Sequence, residues 1–310
     1  MVDSLQKIDE ETLVQLNLNK ARMTLVDKNR SNELLEAMPN PTQAAGGSAA
    51  NTAYWAAQLG GNVGFIGKIS NDELGIQFKE SVKKSGLNDF TIFETEDNQT
   101  GHCAIFITPD GERTMNTYLG AGAFLSVEDL NEEAIKSAEI LYMEGYLWDR
   151  PTSKEAFLYA AKLNKSSGGK NAITLSDVFC VEMHRDSFIE FIKESIDFVF
   201  CNEEEIMSLT MKETIDEAIN SFKNQFPNIE ELVCTLGPRG ALVISNGKKS
   251  HYDATEAEVV DKTGAGDYFA AGYLYGLQKK LSIEESADIA NRSAAYVISE
   301  VGVRPKNKFD

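Results

Sequence analysis

Short apolar segments alternate with helix-like segments along most of the chain after residue 40. The segments IDFVFCN and ELVCTL are apolar throughout, which is typical of strands covered on both faces. Strands that alternate with helices predict a parallel sheet, because each parallel connection has to cross over the sheet. The sequence therefore predicts an α/β fold with a doubly wound, mostly parallel sheet flanked by helices.

The alternation is interrupted between residues 89 and 119. Three short β-rich segments occur there, DFTIF, HCAIFIT and RTMNTYL, and the polar segments ETEDNQTG and PDGE separate them. Such a pattern predicts a small antiparallel meander inserted between the α/β units. Elsewhere, helices are predicted at 48–59, 126–137 and 265–278, and others are predicted to begin near Thr152, Met183, Glu203, Glu213 and Ser282.

The chain is strongly acidic. Of its 310 residues, 30 are Lys or Arg and 48 are Asp or Glu, which gives a net charge of −18. Such a surface repels nucleic acid and anionic membranes, which bind proteins through basic patches. No apolar stretch approaches the about 18 residues that a membrane-spanning helix needs. The first residues, MVDSLQKIDEE, lack an apolar signal core, so we expect a cytoplasmic protein that binds neither nucleic acid nor membrane.

The cysteines and histidines are too scattered to predict a disulfide framework or a zinc site. Each cysteine lies in or beside an apolar segment, which predicts a buried, reduced thiol in a cytosolic protein. The residues concerned are Cys103, Cys180, Cys201 and Cys234, and His102, His184 and His251.

Two common glycine motifs are absent from the sequence. The Walker pattern GxxxxGK[ST] fails at Gly67, because position 62 is Asn62 and position 69 is Ile69. The dinucleotide pattern GxGxxG fails at both GxG segments, where Phe269 and Leu125 occupy the third glycine position. A P-loop nucleotidase and a dinucleotide-dependent dehydrogenase are therefore disfavoured.

A glycine turn leads directly into an apolar helix in the segment VVDKTGAGDYFAAGYLYGL, residues 259–277. Gly264, Ala265 and Gly266 bring bare backbone N–H groups to the helix N-terminus, where the unsatisfied donors and the helix dipole favour an anion. Asp267 lies at the edge of this anion hole, where a carboxylate can face a hydroxyl that attacks a phosphate. The alternative is an ordinary turn followed by an acidic first-turn residue.

A second glycine cluster occurs in QAAGGSAANTAYWAAQLGG, residues 43–61. Gly46 and Gly47 precede a helix whose first turns carry Ser48 and Asn51. Small residues allow a ligand to approach the backbone, and the Asn51 amide can donate and accept hydrogen bonds with hydroxyl groups. The alternative is close helix packing by the alanines.

A third candidate motif, Asn202-Glu203-Glu204-Glu205, follows a buried strand at the carboxyl edge, where open α/β sheets bind ligands. Asn202 and Glu205 are one helical turn apart and share a face, so they can hold a metal-bound water near phosphates. The alternative is an acidic helix start.

Together, these motifs resemble the ribokinase-like (PfkB) family of carbohydrate and nucleoside kinases. Segment 46–75, GGSAANTAYWAAQLGGNVGFIGKISNDELG, resembles the first family signature, and segment 259–276, VVDKTGAGDYFAAGYLYG, resembles the second. Asn202 to Glu205 matches the family motif NxxE, and Thr235, Gly237 and Gly240 match its Thr-Leu-Gly-x-x-Gly. GGSxxN, DGERTM and LSDVFC are most similar to the bacterial adenosine-kinase-like branch.

The resemblance implies one ribokinase-like domain over residues 1–310. Its sheet is expected to carry a β lid over the sugar, formed by about 89–119 with part of 18–27 inserted into it. The strand-like segment ARMTLVD falls in that insertion.

The resemblance also implies a role for each matching residue. Asp267 would be the catalytic base, Gly264, Ala265 and Gly266 the anion hole, and Arg113 a lid arginine that contacts the transferred phosphate. Substrate hydroxyls would be bound by Asp3, Gly46, Gly47 and Asn51. The nucleotide would be bound by Asn202, Thr235, Gly237, Gly240 and Asn291, and Mg²⁺ by Glu205 through water.

Two features depart from the family pattern. Members usually begin with a strand and a Gly-x-Gly-Asn turn, whereas here only Asp3 matches that motif, so we expect either a truncated start or another segment in place of the strand. Lys262 stands where the family usually has a small polar residue. It is expected either to help hold ATP phosphates or to be solvated.

The expected activity is ATP- and Mg²⁺-dependent phosphorylation of a primary CH₂OH on a nucleoside, adenosine-like, or on a sugar. Ribose- and fructose-type sugars remain open as substrates, because the loops that form the base pocket cannot be placed from the sequence. A catalytically weak nucleotide- or sugar-binding regulator on the same fold is the other interpretation. The partner is expected to be a small molecule, and the protein a monomer or homodimer.

Overall fold

The computed structural model describes residues 1–94, 98–305 and 309. Residues 95–97 of the polar segment ETEDNQTG lie outside the described residues. The strands are β1 (Val2–Lys7), β2 (Met23–Leu25), β3 (Thr42–Ala45), β4 (Gly64–Ile69), β5 (Asn88–Phe93), β6 (His102–Ile107), β7 (Arg113–Tyr118), β8 (Ile140–Glu144), β9 (Lys170–Thr174), β10 (Phe198–Asn202), β11 (Glu231–Thr235), β12 (Ala241–Ser245) and β13 (Lys248–Tyr252). The helices are α1 (Glu10–Gln15), α2 (Lys28–Glu36), α3 (Ser48–Gln58), α4 (Glu73–Lys84), α5 (Glu132–Ser137), α6 (Pro151–Ser166), α7 (Val178–Ser195), α8 (Glu203–Thr210), α9 (Ile215–Gln225), α10 (Ala265–Gln278) and α11 (Ile283–Ile298).

The central sheet has six strands in the order β13-β12-β11-β10-β9-β8. Strands β8 to β11 pair in parallel, and the hairpin of β12 and β13 extends the sheet with antiparallel pairs. The middle strands are buried on both faces, because α6 to α9 pack on one side and α10 and α11 on the other. The predicted alternation of strands and helices around a mostly parallel sheet is therefore observed.

A second sheet has five strands in the order β2-β7-β6-β1-β3. The prediction of one antiparallel meander over residues 89–119 is wrong in one respect. Strands β6 and β7 do pair antiparallel, but β5 lies in a different sheet, where it pairs in parallel with β4. The strand that pairs with β6 on its other edge is β1, from the start of the chain, and this pair is parallel. The strand-like segment ARMTLVD contributes β2, which pairs in parallel with β7.

Strands β4 and β8 each have one edge that no other described strand pairs with. Residues of both strands line the same large cavity, and Met1 lines it as well. Asp3, expected to stand after a missing strand, lies inside β1. Residues 1–26 therefore build part of the five-stranded sheet, and neither β1 nor β2 pairs with β4 or β8.

Two predicted helix boundaries differ from the structure because side chains cap the helices elsewhere. Helix α7 begins at Val178, five residues before the predicted Met183, since the Asp177 carboxylate accepts a hydrogen bond from the Phe179 N–H. Segment 126–137 is not one helix: the Ser126 capping box starts a single short turn, and Asn131 caps α5 separately.

Helices α3, α10 and α11 pack together beside the central sheet and position the site. The Trp55 ring of α3 stacks on the Tyr268 ring of α10, with 4.8 Å between their centroids. Helices α10 and α11 approach closely at Gly276, where an added Cβ would lie 2.3 Å from the Ser286 Oγ. This contact fixes α10, so its first turn has a defined position against α3.

Candidate active site

The Asp267 carboxylate lies in the first turn of α10 and is held by two side chains of α3. The Ser48 Oγ donates to Oδ1 at 2.7 Å, and the Asn51 Nδ2 donates to Oδ2 at 2.9 Å. Burial raises the pKa of Asp267, and the two donors and the Arg304 charge oppose that rise. The two glycine motifs, more than 200 residues apart in the chain, therefore meet at one carboxylate.

The turn before Asp267 has the backbone of an anion hole. Gly264 is the N-cap of α10 and has a φ of +79°, a left-handed conformation that glycine adopts without strain. The first-turn amides of the helix have no carbonyl partner within the helix. An added Cβ at Gly266 would meet nothing within 4 Å, so the space above this turn is open to a ligand.

The first glycine cluster and Asp3 are in direct contact. A Cβ at Gly46 would overlap the Asp3 carboxylate, so only glycine fits beside this acid. Gly47 is the N-cap of α3 with a φ of +97°. Burial raises the pKa of Asp3 to about 6, although the N-terminal amino group and Arg304 oppose that rise. Asp3, Gly46 and Gly47 line the same cavity as Asp267.

Arg113, at the start of β7, binds the loop that precedes the anion hole. Its Nη2 forms an ion pair with the buried Asp261 carboxylate, and its Nη1 donates to the Thr263 Oγ1 at 3.0 Å. The Asp261 carboxylate also accepts from the Thr263 and Gly302 amides, at 3.0 and 2.6 Å. The five-stranded sheet is thereby attached to the loop before α10.

A further acid, Glu144, lies at the carboxyl end of β8 and was missed in the sequence. Its Oε2 accepts a hydrogen bond from the Ala49 N–H, in the first turn of α3, at 2.6 Å. Burial raises the pKa of Glu144 despite that bond. The signal available in the sequence was its position at the end of the apolar segment ILYME.

Asn202 and Glu205 form a reciprocal capping box at the start of α8. The Glu205 N–H donates to the Asn202 Oδ1 at 2.8 Å, and the Asn202 N–H donates to the Glu205 Oε2 at 3.1 Å. Burial raises the pKa of Glu205 to about 7. Both side chains line the cavity, so the box is a helix cap with one face toward the site.

The remaining predicted nucleotide residues are only partly at the cavity. Thr235 is the last residue of β11 and lines the cavity. Gly237 and Gly240 form the turn to β12 with φ of +59° and +82°, and neither lines the cavity. Asn291 is buried in α11, also away from the cavity lining. Lys262 is exposed and lines the cavity beside the anion hole.

The cavity that joins these groups has a volume of about 1230 Å³. It is large enough for two small molecules, since ligand pockets usually measure about 300–1,000 Å³. Its lining includes residues of β4 and β8 together with Asp267 and the anion hole. Within the ranges 1–94 and 98–305, no group of three His, Cys, Asp or Glu side chains is arranged to hold a metal ion.

Two sequence expectations that do not depend on the family resemblance can also be compared with the structure. The four cysteines are buried free thiols, as predicted. Across the part of the chain that the structure describes, no helix has the length and apolar character needed to cross a membrane.

Solved kinase structures have the same fold as this chain. A probable sugar kinase from Rhizobium etli CFN 42 superimposes with a TM-score of 0.91, 35% identity, and coverage of 99% of this chain and 92% of that one. The adenosine kinase from Sinorhizobium meliloti superimposes with a TM-score of 0.89, 36% identity, and coverage of 98% and 93%. The predicted ribokinase-like fold is therefore confirmed.

Curated relatives are kinases of nucleosides and sugars. The adenosine kinase of Saccharomyces cerevisiae is 27% identical over 96% of this chain and 88% of its own length. A probable fructokinase-6 of Arabidopsis thaliana, described as chloroplastic, is 29% identical over 85% and 72%. The family model described as "pfkB family carbohydrate kinase" matches residues 11–309. The chain therefore belongs to the pfkB family of carbohydrate kinases.

Proposed function

We propose that this kinase transfers the γ-phosphoryl group of ATP to a primary CH₂OH of a nucleoside, with adenosine-like nucleosides first among the candidates. The observation that carries the proposal is the buried Asp267 carboxylate, fixed by Ser48 and Asn51 beside an open helix N-terminus. A carboxylate in that position can accept the hydroxyl proton while the backbone amides face the phosphoryl oxygens.

The acceptor alcohol is proposed to lie between Asp267 and Asp3. Asp3, Gly46 and Gly47 are on the wall next to Asp267, and a buried carboxylate readily accepts hydrogen bonds from vicinal hydroxyls. With the amides of α3 at the same wall, the substrate is oriented by polar groups of β1 and α3. Ordering the alcohol next to its base supplies much of the catalysis in phosphoryl transfer.

The phosphate end of the cavity fits a nucleotide. The first-turn amides of α10 lack a carbonyl partner within the helix, and the Ala265 N–H donates to the Lys262 carbonyl in the preceding turn at 3.3 Å. The open space at Gly266 leaves room for phosphoryl oxygens. ATP, when bound, supplies the phosphoryl group that the acceptor takes up. Gly264, Ala265 and Gly266 would hold its terminal phosphate, with Arg113 and Lys262 beside them. Thr235 would border the rest of the nucleotide in the cavity, and Gly237, Gly240 and Asn291 are proposed to border it from outside the cavity lining.

Asn202 and Glu205 are proposed to organise Mg²⁺ through water. Mg²⁺ usually keeps several waters and binds through one or two carboxylates plus substrate phosphates, so a single buried acid at the cavity suits it. Burial keeps the pKa of Glu205 at about 7, and a nearby cation would favour its ionised form. The cation would neutralise phosphate charge during transfer.

The substrate class is tested with a panel of nucleosides and sugars in a coupled ADP-release assay. Adenosine, other nucleosides, ribose and fructose are compared at fixed ATP and Mg²⁺, with Asp267→Asn as the control for contaminating activity. We expect the highest kcat/KM with adenosine-like nucleosides. If the kcat/KM of a sugar exceeds that of every nucleoside by a factor of about ten or more, the substrate belongs to the ribose or fructose class.

The same panel is measured by calorimetry without turnover. Tight binding of a nucleoside or sugar with no detectable product would favour the regulator interpretation over catalysis.

We propose a cytoplasmic location, which the four reduced thiols support. A small-molecule substrate and a monomeric or homodimeric state complete the proposal.

A further inference from the structure

Arg304 follows the last helix and reaches the site from the far end of the chain. We propose that Arg304 is a positioning residue that orients the Asn51 amide and thereby keeps Asp267 ionised for proton transfer. The inference rests on the proposed function, in which Asp267 is the base. It concerns a side chain that no sequence motif singled out.

The orientation of Asn51 follows from hydrogen-bond chemistry. The Arg304 Nη1 donates to the Asn51 Oδ1 at 2.8 Å, and the Asn51 Nδ2 donates to the Asp267 Oδ2 at 2.9 Å. A guanidinium only donates hydrogen bonds, so the amide oxygen has to face Arg304. The amide N–H then has to face Asp267, where it stabilises the carboxylate form and cannot pair with the protonated acid's O–H.

The guanidinium is itself fixed in place. It lies over the Tyr54 ring of α3, 4.2 Å from the ring centroid, and its Nη1 also donates to the Val303 carbonyl at 2.6 Å. The Val303 carbonyl in turn accepts from the Tyr268 hydroxyl of α10 at 2.9 Å. Arg304 is thus held by the two helices whose side chains form the site.

The other polar groups around Asp267 show why a nearby cation matters for the ionisation of this carboxyl. Ser48 and Asn51 of α3 donate to it. Four further groups interact with it electrostatically: Glu144 and Tyr142 of β8, Asp3 of β1, and Tyr146. Apart from the donors, these groups are acids or phenols, and the Asp267 charge raises the pKa of each of them. The Arg304 charge opposes the effect of burial on Asp267, and it also lowers the pKa of Asp3.

The test measures the pKa of Asp267 directly. Protein labelled with ¹³C at the aspartate carboxyls is titrated by NMR, and Asp267→Asn assigns the signal. Arg304→Met is expected to raise the pKa of Asp267 by about one unit, since a nearby opposite charge lowers a carboxyl pKa by about 1–3 units. Arg292→Met, which removes an arginine charge from the outer face of α11, is expected to leave it unchanged.

The kinetic readout is the acidic limb of the kcat profile against pH. In Arg304→Met, the apparent pKa of this limb should rise together with the pKa of Asp267 measured by NMR. Arg304→Lys should reverse part of that rise, because lysine keeps the positive charge. An Asp267 pKa within about 0.3 units of wild type in a folded Arg304→Met would overturn the proposal. If that variant does not fold, Arg304→Gln is judged by the same criterion. Absent turnover of the wild type would sink only the proposed function, because the NMR measurement needs no activity.

Discussion

Asp267 illustrates how a single carboxylate is tuned by its neighbours. Burial alone would favour its neutral form, whereas a base has to be ionised before it accepts a proton. The two hydrogen bonds from α3 stabilise the ionised form and also fix the carboxylate plane. On the proposed function, a carboxylate held in this way would bind the substrate hydroxyl without further rearrangement.

Replacing this carboxylate tests its role. Asp267→Asn keeps the side-chain shape and removes the proton acceptor, so kcat should fall by about 10²–10⁴, the usual contribution of a positioned base. The melting temperature and ATP affinity should stay near wild type, which differential scanning fluorimetry and calorimetry measure. A variant that keeps more than about a third of wild-type kcat at saturating substrate would show that another group is the base.

Asp3 provides a prediction of pH dependence. Its folded-state pKa is about 6, above the ordinary value of 3.8, because the carboxyl is buried. Between those two values the folded state binds more protons than the unfolded state, so the stability contributed by Asp3 falls as pH rises through that window. Asp3→Asn should therefore stabilise the fold at pH 8 by as much as about 3 kcal/mol and change it little below pH 4.

The measurement for Asp3 is urea unfolding of both proteins at pH 4, 6 and 8. The same variant should lose substrate affinity, because asparagine accepts fewer hydrogen bonds from hydroxyl groups. Equal stability of the two proteins across all three pH values would contradict the raised pKa, whatever happens to substrate binding.

At the scale of elements, the ion pair between Arg113 and Asp261 joins the five-stranded sheet to the loop before α10. The sequence predicted that Arg113 acts on the transferred phosphate from a lid strand, and that role remains a prediction. The structure adds a partner: the guanidinium is already held at the anion-hole loop. Substrate-free and phosphate-bound states would then differ in whether Arg113 faces Asp261 or the phosphate.

Arg113→Ala should lower kcat more than it weakens substrate binding. Removing the guanidinium takes a positive charge from the phosphoryl group and also releases the sheet from the loop, and both losses affect the transferring state most. Steady-state kinetics and calorimetry of substrate binding measure the two effects, with Arg113→Lys as the charge-preserving control. Unchanged turnover together with a large loss of substrate affinity would make Arg113 a substrate-binding residue.

The elements of the site differ in how far the sequence predicts them. The turn and helix around Asp267 were predictable, because the glycines, the acid and the apolar helix face are consecutive. The contacts of Arg304 and Asp261 could not be predicted in this way. Arg304 binds Asn51 across 253 positions, Asp261 pairs with the distant Arg113, and no local pattern indicates either contact. The pairing of β5 was also mispredicted, because alternating apolar residues indicate a strand without indicating its neighbour.

At the scale of the whole molecule, two sheets present free edges to one cavity. Strands β4 and β8 carry backbone groups without a strand partner among the described residues, and both border the site. The amino end of the chain lies at the same cavity, and burial lowers the pKa of the Met1 amino group to about 6. A further strand that paired with both edges would join the β4-β5 sheet to the six-stranded sheet.

An added strand is therefore expected to stabilise the protein. We predict that a chain extended before Met1 by about five β-branched residues and a glycine-containing turn melts at a temperature higher by about 5 °C or more. Each buried backbone group that gains a partner avoids a cost of about 1–3 kcal/mol, and total stability is usually only about 5–15 kcal/mol. The matched control is an extension of equal length made of Gly and Ser, which has little tendency to form a strand. Substrate affinity should rise with the β-branched extension, because the new strand would end beside Asp3 and Gly46. Equal melting temperatures for the two extended chains would show that the edges of β4 and β8 do not accept a strand from this end of the chain.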